Sequence, residues 1–171
     1  MSALLFAFIC CYLFFIIFIV TGLFKHSVLP IQSSIKLPMV SIIIAARNEE
    51  ALLPSLIQDL IKQEYPLDKL EVIIINDRST DSTKEILAKA EEDYALIKTI
   101  TIQQASSNMT PKKHALTLGI ESAQGDIIVL TDADCRVGKL WASSMAYSVM
   151  HKDCICTVSY THLTLPTKRI V

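Results

Sequence analysis

Residues 126–134 read DIIVLTDAD, an apolar run of strand length that opens directly into two carboxylates, Asp132 and Asp134, set two apart. Working outward, two more runs of the same kind precede it. Residues 40–46, VSIIIAA, are β-branched and buried in character; residues 70–75, LEVIII, repeat the pattern. A weaker third strand is expected over residues 95–102. Helical spacing fills the intervals. Leu52, Leu53, Leu56, Ile57, Leu60 and Ile61 recur as one face of a helix over residues 49–63. Ser82 with Glu85 has the spacing of a capping box that opens a helix running to Tyr94. Thr110 followed by Pro111 reads as an N-cap and first helical position, with Gly125 available as a left-handed cap beyond the helix end. A last helix is expected over residues 139–150. Strands that alternate with helices and are apolar throughout predict an α/β domain with a parallel sheet, order 3-2-1-4, covered by helices on both faces.

Ligands of such sheets bind beyond the carboxyl ends of the strands, where strand order reverses. Three of the four ends are dense in polar groups: Arg47, Asn48 and Glu49 after the first, Asn76 to Asp81 after the second, Thr131 to Asp134 after the fourth. In the expected order all three face one crevice. Asp132 and Asp134 project the same way from an extended backbone and can hold Mg2+ or Mn2+, hard cations that keep positions open for diphosphate oxygens. The competing reading makes Asp132 a turn cap and Asp134 the cap of the next helix. Asp77 can accept from a base N–H or a ribose hydroxyl, or stabilise its turn; Ser79 to Asp81 are adequately explained as turn residues, and Glu49 as a first-turn acid complementing the helix dipole. Lys112 and Lys113 open a helix where positive charge opposes the dipole, so either a nearby anion or plain solvation accounts for them. His114 reads as a surface or packing residue, Trp141 and Met145 as core, and Cys135 as a space filler.

The composition narrows the classes. The chain has 171 residues, 51% hydrophobic and 19% charged, with a formal net charge of -1. No basic surface able to hold a nucleic-acid backbone is implied. Its four glycines stand too far apart for a Walker loop or a Gly-x-Gly-x-x-Gly turn. Cys10, Cys11, Cys135, Cys154 and Cys156 show neither a disulfide framework nor a four-cysteine zinc site, and read as reduced thiols. The mean hydropathy of +0.43 traces largely to the start of the chain. Residues 4–24 carry no charge, and a helix of about 20 residues spans roughly 30 Å of hydrocarbon. No basic stretch precedes them and no small-x-small cleavage site follows, so residues 1–24 are expected to be a retained transmembrane anchor rather than a signal peptide. Lys25 and Lys36 follow the span, which predicts a single-pass protein with its remaining domain cytoplasmic. Residues 25–38, with Pro30 and Pro38, read as a juxtamembrane linker.

The segments VSIIIAARNEE, EVIIINDRSTDST and PKKHALTLGIESAQGDIIVLTDADC, in this order and spacing, resemble the nucleotide-sugar half of family 2 inverting glycosyltransferases. The likeness covers residues 39–150. It implies a Rossmann-like GT-A fold, a uridine or guanosine diphosphate sugar as donor, a divalent metal, and a carbohydrate or lipid-linked acceptor such as an envelope polysaccharide or glycolipid. By motif position Ala46, Arg47 and Asn48 would line the base and ribose, and Asp77 would bind the base. Lys112 matches the lysine of a Gly-Lys-x-x-Ala-Leu stretch, and Asp132 with Asp134 matches the DxD metal motif. Pro111 stands where that stretch usually has Gly, and Asn76 where the second strand often ends in a first Asp.

The resemblance also implies an acidic general base and, in some members, a Gln-x-x-Arg-Trp segment farther along, neither of which is present; no residue here is nominated as the base. The closing residues VSYTHLTLPTKRIV, 158–171, resemble a translated transposon-end adapter left at the ends of shotgun-assembled genes. They are expected to be a non-native tail, with residues 39–157 a partial glycosyltransferase domain of a longer enzyme that can carry further C-terminal membrane helices. Alternation of Val158, Tyr160 and His162 is the competing reading, a natural weak strand. Two other functions share these features: a metal-dependent nucleotidyltransferase, which would normally show a Gly-rich basic loop after the first strand that Ala45 to Asn48 do not supply, and a non-catalytic, membrane-tethered nucleotide-binding module.

Overall fold

A computed structural model of the chain describes residues 3–24, 37–152 and 169–170. The expected linker, apart from residues 37 and 38, lies outside the described residues, as do Cys154, Cys156, the expected boundary at 157 and most of the tail. The chain divides into two compact units, Met1–Ile35 and Lys36–Val171.

The first unit holds one helix, α1 (Ala3–Phe24), in which the Thr21 hydroxyl donates back to the carbonyls of Ile17 at 2.8 Å and Phe18 at 3.0 Å. Its side chains are described at position 5 and over 8–21, all of them exposed. The expected transmembrane anchor, and the single-pass membrane localisation built on it, are corrected: among the described residues no helix is long and apolar enough to cross a membrane.

The second unit is the α/β domain. Its strands are β1 (Val40–Ala46), β2 (Leu70–Asp77), β3 (Ile97–Ile102) and β4 (Ile127–Asp132); a two-residue β5 (Arg169–Ile170) lies beside the start of β4. All pairs are parallel, and the order is β3-β2-β1-β4-β5. The four long strands thus take the expected 3-2-1-4 order. The register sets Ala45 opposite both Ile75 and Asp132, and Ala46 opposite Asn76, so the carboxyl ends of β1, β2 and β4 finish together.

The period-2 alternation of the strands sends side chains to two faces. Ile42, Ile44, Val72, Ile74 and Val129 pack with α2 (Leu53–Leu60), α3 (Thr83–Asp93) and α5 (Trp141–Lys152); Trp141 and Met145 border this layer, as their core reading anticipated. Ile43, Ile73, Ile75 and Ile128 pack against Ala115, Leu116 and Ile120 of α4 (Pro111–Ser122). Helices cover both faces. Gly119 sets how close α4 comes, since a Cβ there would lie 2.4 Å from Ile43 Cγ2 and 2.6 Å from Ile75 Cδ1.

Local expectations shifted where loop contacts intervened. The helix expected over 49–63 is only Leu53–Leu60, because residues 48–50 are held by the next loop and Pro54 fits only at the helix start. No capping box forms at Ser82: its amide donates to Glu50 at 2.9 Å instead of reaching Glu85. Gly125 is not a left-handed cap, since no described glycine has positive φ. Its place is steric. A Cβ would sit 2.5 Å from Ser41 Oγ and 2.7 Å from the Ser41 amide nitrogen. Cys135 is exposed rather than space-filling.

Candidate functional site

The carboxyl ends of β1, β2 and β4 and the first turn of α4 enclose a cleft of about 280 Å³. Its floor is small and apolar, Ala45, Ala46, Ala115 and Ala133; its walls are Arg47, Glu49, Asp77, Lys112, Asp132 and Asp134. Acids from β2 and β4, far apart in sequence, therefore share one lip. The register explains it. Ala45, Ile75 and Leu130 all point toward the α4 face, and two residues on from the last two the same face receives Asp77 and Asp132.

Asp77 is buried, with a side chain 6% exposed, and is held by two guanidiniums. Arg78 Nε donates to Oδ1 at 2.8 Å and Nη2 to Oδ2 at 3.4 Å, while Arg47 Nη1 lies 3.7 Å from Oδ2. The hydrogen bond to Asp77 pushes the Arg78 guanidinium pKa further up. Arg78 was not singled out from the sequence. Its signal is its place next to Asp77, and its backbone, at φ 54°, is turned so that the side chain folds back on its neighbour.

Asn48 has the other positive φ, 57°. It is not among the residues lining the cleft. Its carbonyl oxygen Oδ1 accepts from the Thr80 amide at 2.8 Å, and its own amide donates to Ser79 Oγ at 3.0 Å. The Glu49 amide donates to Thr83 Oγ1 at 2.9 Å and the Glu50 amide to Asp81 Oδ2 at 3.2 Å. Asn76 Oδ1, buried, accepts from the Ser79 amide. These bonds lock the loop after β1 to the loop after β2. Burial pushes Asp81 up, but hydrogen bonds from Thr83 and from the Glu50 amide outweigh it and hold the carboxyl below its ordinary range. Ser79 to Asp81 are thus turn residues, as expected, that also brace the Arg47 loop.

On the other side of the cleft Lys112 Nζ lies 2.7 Å from Asp132 Oδ1, both side chains about half exposed. Asp134 is exposed in the turn after β4. That turn continues into a pinned segment. Arg136 makes a two-pronged ion pair with Asp59 of α2, whose carboxyl it holds below the ordinary range, and the Val137 amide donates to the same carboxylate. Gln63, buried, donates to the Gly138 carbonyl and accepts from the Ala142 amide. His114 is half buried on α4 and His114 takes no part in a metal cluster; among the described residues no group of three or more His, Cys, Asp and Glu side chains could hold a metal ion. Asp132 and Asp134, the pair expected from the sequence to hold a metal, both line this open cleft, and their hard oxygens would suit a cation that completes its shell with ligand oxygens and water rather than a full protein cage.

A parallel sheet in this order, with acids gathered at its carboxyl lip, is the arrangement expected of a GT-A glycosyltransferase domain. The glycosyl transferase family 2 profile matches residues 41–166, and the chain belongs to that family. It is 40% identical over 113 residues to the beta-monoglucosyldiacylglycerol synthase of Nostoc sp. (strain PCC 7120), covering 66% of this chain and 23% of that protein. Among solved structures, the mannosyltransferase PcManGT from Pyrobaculum calidifontis in complex with GDP-Man and Mn2+ is 30% identical with a TM-score of 0.53, covering 59% of this chain and 29% of that one. S. aureus TarS 1-349 in complex with UDP-GlcNAc is 25% identical with a TM-score of 0.51, covering 59% and 28%. The chain spans about a quarter of the length of the curated relative, 23%.

Proposed function

We propose that this domain binds the nucleotide diphosphate sugar of a glycosyltransferase that transfers a sugar to a lipid or polysaccharide acceptor. The observation that carries the reading is the single cleft shared by Arg47 and Asp77 on one side and Lys112, Asp132 and Asp134 on the other. Relatives whose names or complexes include a glucosyldiacylglycerol synthase, GDP-Man with Mn2+, and UDP-GlcNAc support a UDP- or GDP-sugar donor and acceptors of this kind.

Each residue has a role set by its chemistry. Asp77, fixed by Arg78, presents carboxylate oxygen to a base or ribose donor. Ala45 and Ala46 leave room for the nucleoside over the sheet end. Lys112, in the first turn of α4, offers an ammonium where the helix N-terminus also favours a diphosphate. Asp132 and Asp134 would hold Mg2+ or Mn2+, which supplies charge neutralisation on the leaving diphosphate when bound. No residue is assigned as the acceptor's base. Calorimetric titration of the full chain with UDP and with GDP, each with and without Mn2+, tests the reading. Metal-linked binding of at least one nucleotide is expected; failure of both to bind under either condition would remove its support.

A further inference from the structure

Lys112 carries a charge that its own helix disfavours, because it stands in the first turn of α4 beside the positive end of the helix dipole. An anion nearby offsets that charge, and the structure offers Asp132, 2.7 Å from the ammonium. Asp132 is also one of the two carboxylates that would hold the divalent cation. One carboxylate oxygen cannot give its full charge to an ammonium and to a divalent cation at once. We infer that Lys112 is a placeholder cation: it occupies Asp132 while the cleft is empty, and yields that carboxylate to the metal only when a diphosphate supplies a replacement anion.

The inference rests on the donor reading above and adds an order to it. Lys112 has two anionic partners within one cleft, Asp132 from β4 and the incoming diphosphate, and moving from the first to the second leaves the acid open. Metal alone therefore competes with Lys112, whereas metal with a diphosphate does not. Linkage makes the effect reciprocal, so each ligand raises the affinity for the other beyond their direct contact. The ion pair is about half exposed, so the ammonium has room to swing without disturbing the core. Lys113, one residue on, has no such pairing with the acids of the cleft and provides the comparison.

The test is Mn2+ binding to the full chain, read from the electron paramagnetic resonance signal of free Mn2+, with and without UDP. Lys112→Gln is expected to bind Mn2+ alone about two- to fivefold more tightly than the parent, the size that an exposed ion pair contributes. It should also show a smaller gain in Mn2+ affinity on adding UDP. Lys113→Gln should leave Mn2+ binding unchanged. An unchanged Lys112→Gln, or an equal tightening in Lys113→Gln, overturns the inference and leaves the donor reading standing, since the latter outcome is a general field effect. Absence of Mn2+ binding by the parent chain with UDP, and also with GDP in its place, overturns the donor reading and this inference together.

Discussion

Glu71 at the amino end of the sheet and the Asp132/Asp134 pair at its carboxyl end are treated in opposite ways. At the amino end Glu71, 4% exposed, is surrounded by donors from the chain itself. Ser41 Oγ and the Gln124 amide donate to Oε1, each at 2.6 Å, and Lys98 Nζ lies 3.0 Å from Oε2. Ser41 in turn accepts from the Gly125 amide at 2.8 Å. Burial pushes the Glu71 pKa up, but these donors outweigh it and hold the carboxyl below its ordinary value of 4.5. At the carboxyl end Asp132 is 55% exposed with a single lysine on one oxygen, and Asp134 is open to water. A buried acid whose lone pairs are filled from within is a structural element, tying β1, β2, β3 and the segment after α4 together. An acid at a strand end with lone pairs to spare is arranged for something that arrives from outside.

The contrast breaks most visibly at Glu71. Glu71→Ala leaves Ser41 and the Gln124 amide without their acceptor and is expected to cost about 2–3 kcal/mol in urea denaturation. A loss below about 0.5 kcal/mol, the level of an ordinary surface change, would mean that the amino end is no more structural than the cleft. Gly125→Ala attacks the same network through the backbone. Its Cβ meets the Ser41 amide and the Met39 carbonyl, neither of which can swing aside, so a loss of about 1–3 kcal/mol is expected from thermal melts.

Acid sharpens the comparison further. Because the folded-state pKa of Glu71 is lowered, its stabilisation is fully present above the unfolded value and fades as pH falls through the folded one. The stability gap between the parent and Glu71→Gln should therefore be constant near neutrality and shrink below about pH 4. Urea midpoints of the two proteins across that range decide it; a gap that widens on acidification would reverse the sign. Smallest in stability is Asp134→Asn, expected to shift unfolding by no more than about 0.5 kcal/mol. The same substitution should abolish Mn2+-linked UDP binding. A marked loss of stability with nucleotide binding intact would make Asp134 a capping residue instead.

The two ends also differed in how they could be read. The sheet was legible because Ile42 to Ile44 and Val72 to Ile75 declare buried strands in any context, and the lip was legible because Asp77, Asp132 and Asp134 interrupt apolar runs at their ends. Glu71 was hidden inside such a run. Its partners lie 27 to 53 residues away in sequence, so no local pattern announces them. One cap and one helix start failed for the same reason: Glu50 rather than Glu85 serves Ser82, although the helix after Ser82 keeps its expected bounds, and the short α2 begins only after the loop at 48–50 has been claimed by its neighbour. Residues 4–24 gave the strongest single signal of all, an uncharged apolar run, yet the span inferred from it is not upheld among the described residues.

Gly119 links the interior to the lip. It lies on the same helix as Lys112, about two turns or 10 Å along the axis, where α4 presses against Ile43 and Ile75. The missing methyl works like a shim left out of a mechanical mount: its thickness sets the height at which the ammonium is presented over the strand end. A site that faces solvent is thereby calibrated by a gap between isoleucines, and a single carbon added far below the opening would be felt at its rim.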